Sequence, residues 1–70
     1  MKYQFNLKAF LQDLSKANMP DNLIISFMRS DWVYHLLGKI YTFEDNDDAI
    51  WDLENHIMIW KAWCIPYKEQ

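Results

Sequence analysis

Gly38 is the only glycine in seventy residues, and Pro20 and Pro66 are the only prolines. This scarcity constrains the fold more than any other feature of the chain. Tight hairpins rely on glycine because their turns need backbone at positive φ. One glycine leaves little room for them, and no segment shows sustained apolar–polar alternation. The expectation is helices, interrupted near the prolines and near Gly38.

Helical periodicity agrees with that expectation. Asn6 is a good N-cap, followed by Leu7, Phe10, Leu11 and Leu14 on one face, with Lys8, Gln12, Asp13 and Lys16 facing out. Asn18 suits the C-terminal cap and Pro20 forbids continuation. Pro20 also suits the first turn of a second helix, with Asp21 at its positive end and Leu23, Ile24, Phe27 and Met28 as its apolar face. Ser30 or Asp31 offers a cap for a third helix with Val33, Leu36, Leu37 and Ile40 inward. Gly38 costs about 1 kcal/mol inside a helix, so it marks an end or a close contact. A last helix starts from a cap among Thr42, Asp45 and Asn46, and Pro66 stops it. Its seam would be Ile50, Leu53, Ile57, Trp60 and Cys64. The expected fold is all-α, a compact four-helix bundle near 6–17, 20–29, 31–41 and 46–64 in one domain, 1–70.

Seventy residues are close to the limit for a self-sufficient core. Four each of Phe, Tyr and Trp help, since a ring buries roughly 150–250 Å². With so little interior, some rings are expected at the surface, where a partner can cover them. Cys64 is the only cysteine, which rules out an internal disulfide and a multi-cysteine zinc site. The stretch MKYQFNLKAF lacks the continuous apolar run of a signal peptide. The longest apolar run, 57–65, is interrupted by Lys61, well short of the roughly 20 residues that span a bilayer. A reduced, cytoplasmic protein without membrane contact is expected.

Net charge is −3, unevenly spread. Residues 44–54 hold six acids (Glu44, Asp45, Asp47, Asp48, Asp52, Glu54) and no base, and the remainder carries the balancing +3. A calcium loop beginning at Asp45 would need ligands or glycine where Ala49, Ile50 and His56 stand, so that motif is excluded. The first four acids suit the N-terminal turn of the last helix. Asp52 and Glu54 lie beyond that turn and suggest an acidic rim facing a basic groove. On the same helix Trp51 and Met58 form a stripe off the inner seam, and Ile59 and Trp63 fall elsewhere again. A helix that is apolar on several sides is either central or shared with another chain. Asp52 and His56 share a face but do not make a metal site, and no nucleophile motif or phosphate loop is present. Residues 20–41 resemble a helix-turn-helix in outline, but only Arg29 and Lys39 would face nucleic acid there, opposed by Asp31.

The segments FLQDL, DNLIISF and SDW, followed by an acidic lead into DAIWDLENHIMIWKAW, resemble the YozE-like family of small sterile-alpha-motif-like (SAM-like) bacterial helical domains. The matching features are Phe10 and Leu11, then Asp21, Ile24 and Phe27, then Asp31 and Trp32, and finally Ala62 and Trp63. The resemblance implies a four- or five-helix bundle and a bacterial or phage-like source, without implying a reaction.

These readings converge on a small acidic, non-enzymatic interaction module with no cofactor and no metal. Its expected partner is a larger protein, such as an enzyme to which it is an accessory subunit, or a second copy of itself. Trp51, Met58, Ile59 and Trp63 are the expected anchors, with Asp47, Asp48, Asp52 and Glu54 orienting the partner. The first alternative is a phage or mobile-element inhibitor whose acidic face occupies a nucleic-acid-binding groove. The second is weak direct nucleic-acid binding.

Overall fold

The chain begins with a strand, β1 (Lys2–Phe5), in a computed structural model that describes residues 1–68. Three helices follow: α1 (Leu7–Lys16), α2 (Asp21–Met28) and α3 (Asp31–Leu36). The second half is extended: β2 (Ile40–Thr42), β3 (Ala49–Asp52), β4 (Ile57–Trp60), a 3₁₀ turn over Lys61–Trp63, and β5 (Cys64–Pro66). β1 lies between β2 and β5 in one antiparallel sheet, and β3 and β4 form a separate hairpin. The fold is therefore α+β, which overturns the all-α, SAM-like bundle expected from the sequence.

Three helices form near the first three expected positions, but α2 buries none of its expected inward residues Leu23, Ile24, Phe27 and Met28, with Leu23 46% exposed, and the expected Ser30 cap of α3 makes no side-chain hydrogen bond. Asn6 Oδ1 accepts the Ala9 N–H at 2.9 Å, capping α1. At its far end Asn18 adopts φ 57°; its N–H reaches Ser15 O at 3.0 Å, and the Met19 N–H reaches Leu14 O at 3.2 Å. That pair of bonds is a Schellman closure. α3 stops short of residue 41. Leu37 (φ −58°, ψ 124°) and Gly38 (φ 77°) turn the chain, and the Lys39 N–H closes on Leu36 O at 2.9 Å. This is a type II turn, which requires positive φ where Gly38 sits. Of the four residues assigned inward on this helix, Val33 and Leu36 are fully buried, while Leu37 and Ile40 are exposed.

The expected last helix, 46–64, does not exist. Across the hairpin Ala49 faces Trp60, Ile50 faces Ile59, Trp51 faces Met58 and Asp52 faces Ile57. Directly opposed residues share a sheet face. One face therefore carries Ile50, Asp52, Ile57 and Ile59 toward the core, and the other carries Ala49, Trp51, Met58 and Trp60 outward. Leu53 and Trp60, expected on an inner seam, are 77% and 46% exposed. The sequence suits a strand better than a helix locally, because Ile57 and Ile59 are β-branched and stiff.

The core draws on both halves of the chain. Phe5, Phe10, Leu14, Val33, Leu36, Tyr41, Phe43, Ile59 and Cys64 are buried together. Phe10 sits at its centre, edge-to-face with Phe27, Trp32 and Trp63 at centroid distances of 6.1, 6.0 and 4.9 Å. The Trp63 indole N–H donates to Asp13 Oδ2 at 3.0 Å, tying the 3₁₀ turn to α1.

Candidate interaction surface on the hairpin

The hairpin is built without glycine. Asp52, the last residue of β3, closes its loop: Oδ1 accepts the Asn55 backbone N–H at 3.0 Å and Oδ2 accepts the Asn55 side-chain amide at 3.0 Å. His56 supplies the positive φ, 54°, that a tight reversal needs. Histidine is one of the non-glycine residues that enter this region more readily than most.

Asp52 also fastens the hairpin to the three-stranded sheet. The Tyr41 hydroxyl donates to Oδ2 at 2.6 Å and Lys39 Nζ donates to the same oxygen at 2.9 Å. Lys39 reaches Glu54 Oε2 as well, at 3.1 Å. Asp52 is 5% exposed, and burial alone pushes its carboxyl up. The hydrogen bonds from Tyr41, Asn55 and Lys39 outweigh burial and hold it below the usual carboxylate range. Burial, together with the bond to Asp52, holds the Tyr41 phenol well above its ordinary value. The bond to Asp52 also raises the Lys39 ammonium. Through these bonds Asp52 clamps the hairpin to β2 and the residue before it.

Two of the six carboxylates are thus tied to one lysine. The other four lie in the turn that leads into β3. Asp47 Oδ2 accepts the Glu44 N–H at 3.0 Å while the Asp47 N–H returns to Glu44 O at 3.0 Å, so Asp47 shapes the turn. Glu44, Asp45 and Asp48 are exposed. None of the four occupies a helix N-terminus, contrary to the sequence reading. Among the described residues no group of three or more His, Cys, Asp or Glu side chains is arranged to hold a metal ion.

The expected anchors separate into two sets. Trp51 and Met58 are cross-strand partners on the outer face, 52% and 43% exposed. Ile59 is wholly buried, and Trp63 is half-buried in the aromatic core, so neither offers a surface. Trp60, assigned to the interior by the helical wheel, stands on the outer face with Trp51 and Met58. Counting alternate residues along β4 from Met58 would have found it. The alternation is hard to see because its polarity is inverted: the charged Asp52 points in and the tryptophans point out.

Cys64 is a buried thiol, pushed up to about 11 by burial, with Sγ 3.8 Å from Trp60 O. Among the described residues no helix is long and apolar enough to cross a membrane. Compared with protein-family models, curated proteins and solved structures, the chain matches none of them.

Proposed function

We propose that the chain is a protein-binding module whose docking surface is the outer face of the β3–β4 hairpin. The observation that carries this reading is Trp51, Met58 and Trp60 side by side on one sheet face, each about half exposed. Two indoles left in water forgo burial that a chain of this size needs, and tryptophan is among the residues that dominate binding energy at interfaces. Trp51, Met58 and Trp60 are the anchors. The exposed acids of the 44–48 turn and Glu54, beyond opposite ends of the hairpin, orient the partner.

The inhibitor reading, in which an acidic face fills a nucleic-acid-binding groove, has less support. Lys39 offsets one of the two charges on Asp52 and Glu54 and Asp52 is buried, which leaves Glu54 and the short 44–48 turn, too few charges to imitate a phosphate backbone.

Selection from a random peptide-display library tests the docking reading. Enriched peptides should bind the wild-type chain and fail to bind a Trp51→Ser, Trp60→Ser double variant of unchanged circular dichroism. Peptides that bind both proteins equally, or no enrichment at all, would refute the reading.

A further inference from the structure

We infer, building on the docking surface proposed above, that its occupant is a short basic segment of another protein, with a few apolar side chains flanked on both sides by Lys or Arg. Charge and size lead to this partner. Between residues 43 and 63 Lys61 is the only Lys or Arg, against six carboxylates. Its ammonium lies 5.0 Å from the centroid of the Tyr3 ring.

The carboxylates stand at both ends of the apolar face. The Lys61 N–H donates to Asp48 O at 2.8 Å, which extends the ladder one step past the Ala49–Trp60 pair and puts the 44–48 turn at that end. Glu54 stands in the loop at the other end, its side chain 81% exposed; Lys39, which it shares with Asp52, meets one of its oxygens at 3.1 Å and leaves the pair of carboxylates with a net charge of −1. The four residues of β3 rise about 10 Å between these ends. A matching segment places its cations about that far apart, with apolar residues between them to cover Trp51, Met58 and Trp60.

The alternative occupant is a second copy of the chain. Half-exposed rings of roughly 150–250 Å² each leave a face on the order of 300 Å², whereas a stable dimer buries about 800 Å² per partner. Two copies joined through this face would also bring two acidic rims together, and like-charge juxtaposition is costly. A short cationic segment meets neither objection.

The same display selection, followed by titration of one enriched synthetic peptide, tests the occupant. Peptides dependent on Trp51 and Trp60 should carry Lys or Arg on both sides of an apolar centre. Their affinity should fall roughly tenfold between about 50 and 500 mM salt. A Glu44→Gln, Asp45→Asn, Asp48→Asn, Glu54→Gln variant, which spares the turn-closing Asp47, should lose a similar factor at low salt. Face-dependent peptides that are neutral or acidic, or that ignore both salt and neutralisation, overturn this partner while leaving the docking reading intact. A dimer in light scattering that the Trp51→Ser, Trp60→Ser variant dissolves would overturn it in favour of self-association. Peptides indifferent to Trp51 and Trp60 would remove the docking surface itself.

Discussion

The molecule holds two groups of large aromatic side chains, and they are used in opposite ways. Around Phe10, the rings of Phe5, Phe27, Trp32 and Trp63 interlock, and the one indole N–H beside Phe10 and Phe5 finds Asp13. On the hairpin, Trp51 and Trp60 enter no ring pair among the described residues and remain about half exposed. The first group joins β1, all three helices and the 3₁₀ turn, so the fold depends on it. The second is carried by a hairpin whose other face already supplies the burial. A tryptophan count alone would not separate them; what separates them is whether each ring has partners.

The largest effect expected from breaking this contrast is at its centre. Phe10→Ala should cost about 3–5 kcal/mol, because several rings lose their common neighbour. Urea denaturation should show the chain largely unfolded or sharply destabilised.

Asp52 comes next, since it holds the hairpin in register with the core. Asp52→Asn keeps the shape but removes the charge that Tyr41 and Lys39 meet, and should cost about 1.5–3 kcal/mol at pH 7. The Asp52 carboxyl lies below its ordinary value in the folded chain. Its contribution is therefore complete above the unfolded value of about 4 and is lost as pH falls below that. The gap between wild type and variant should narrow as unfolding is measured from pH 7 down to about 3. A constant gap would mean that the charge on Asp52 is not what stabilises the clamp.

On the hairpin's outer face the expectation is a small number. Trp51→Ala combined with Trp60→Ala should change unfolding free energy by less than about 1 kcal/mol, as for surface positions, while abolishing partner binding. The smallest effect belongs to the loop. His56→Gly relieves a left-handed conformation and should stabilise the chain by up to about 1 kcal/mol, visible as a modest rise in thermal midpoint.

The same contrast explains which parts of the fold could be read in advance. Asn6, Asn18 and Pro20 bound α1 through local chemistry, which depends on neighbours a few residues away. The burial of Val33 and Leu36 follows from helical spacing in the same way. The stretch 49–60 is different, because its apolar residues satisfy a helical seam at Ile50, Leu53, Ile57 and Trp60 as well as a strand pattern. The strand pattern emerges only when Asp52 is counted as an inward residue. That assignment depends on Tyr41 and Lys39, more than ten positions away, and no local window contains them. Hairpin turn chemistry was equally hidden, since Asp52, Asn55 and His56 do together what a glycine usually does. The candidate surface was half readable for the same reason: Trp51 and Met58 stand out on either pattern, whereas Trp60 belongs to the surface only if the chain is extended.

Trp51 and Trp60 belong to the surface and Trp63 to the core. The four indole N–H signals of the ¹⁵N-labelled protein test it in one experiment, by adding a soluble paramagnetic agent that broadens exposed protons. Strong broadening is expected for Trp51 and Trp60, with Trp63 spared by its bond to Asp13 and its packing on Phe10. Equal protection of Trp51, Trp60 and Trp63 would contradict it, placing all three tryptophans in one interior.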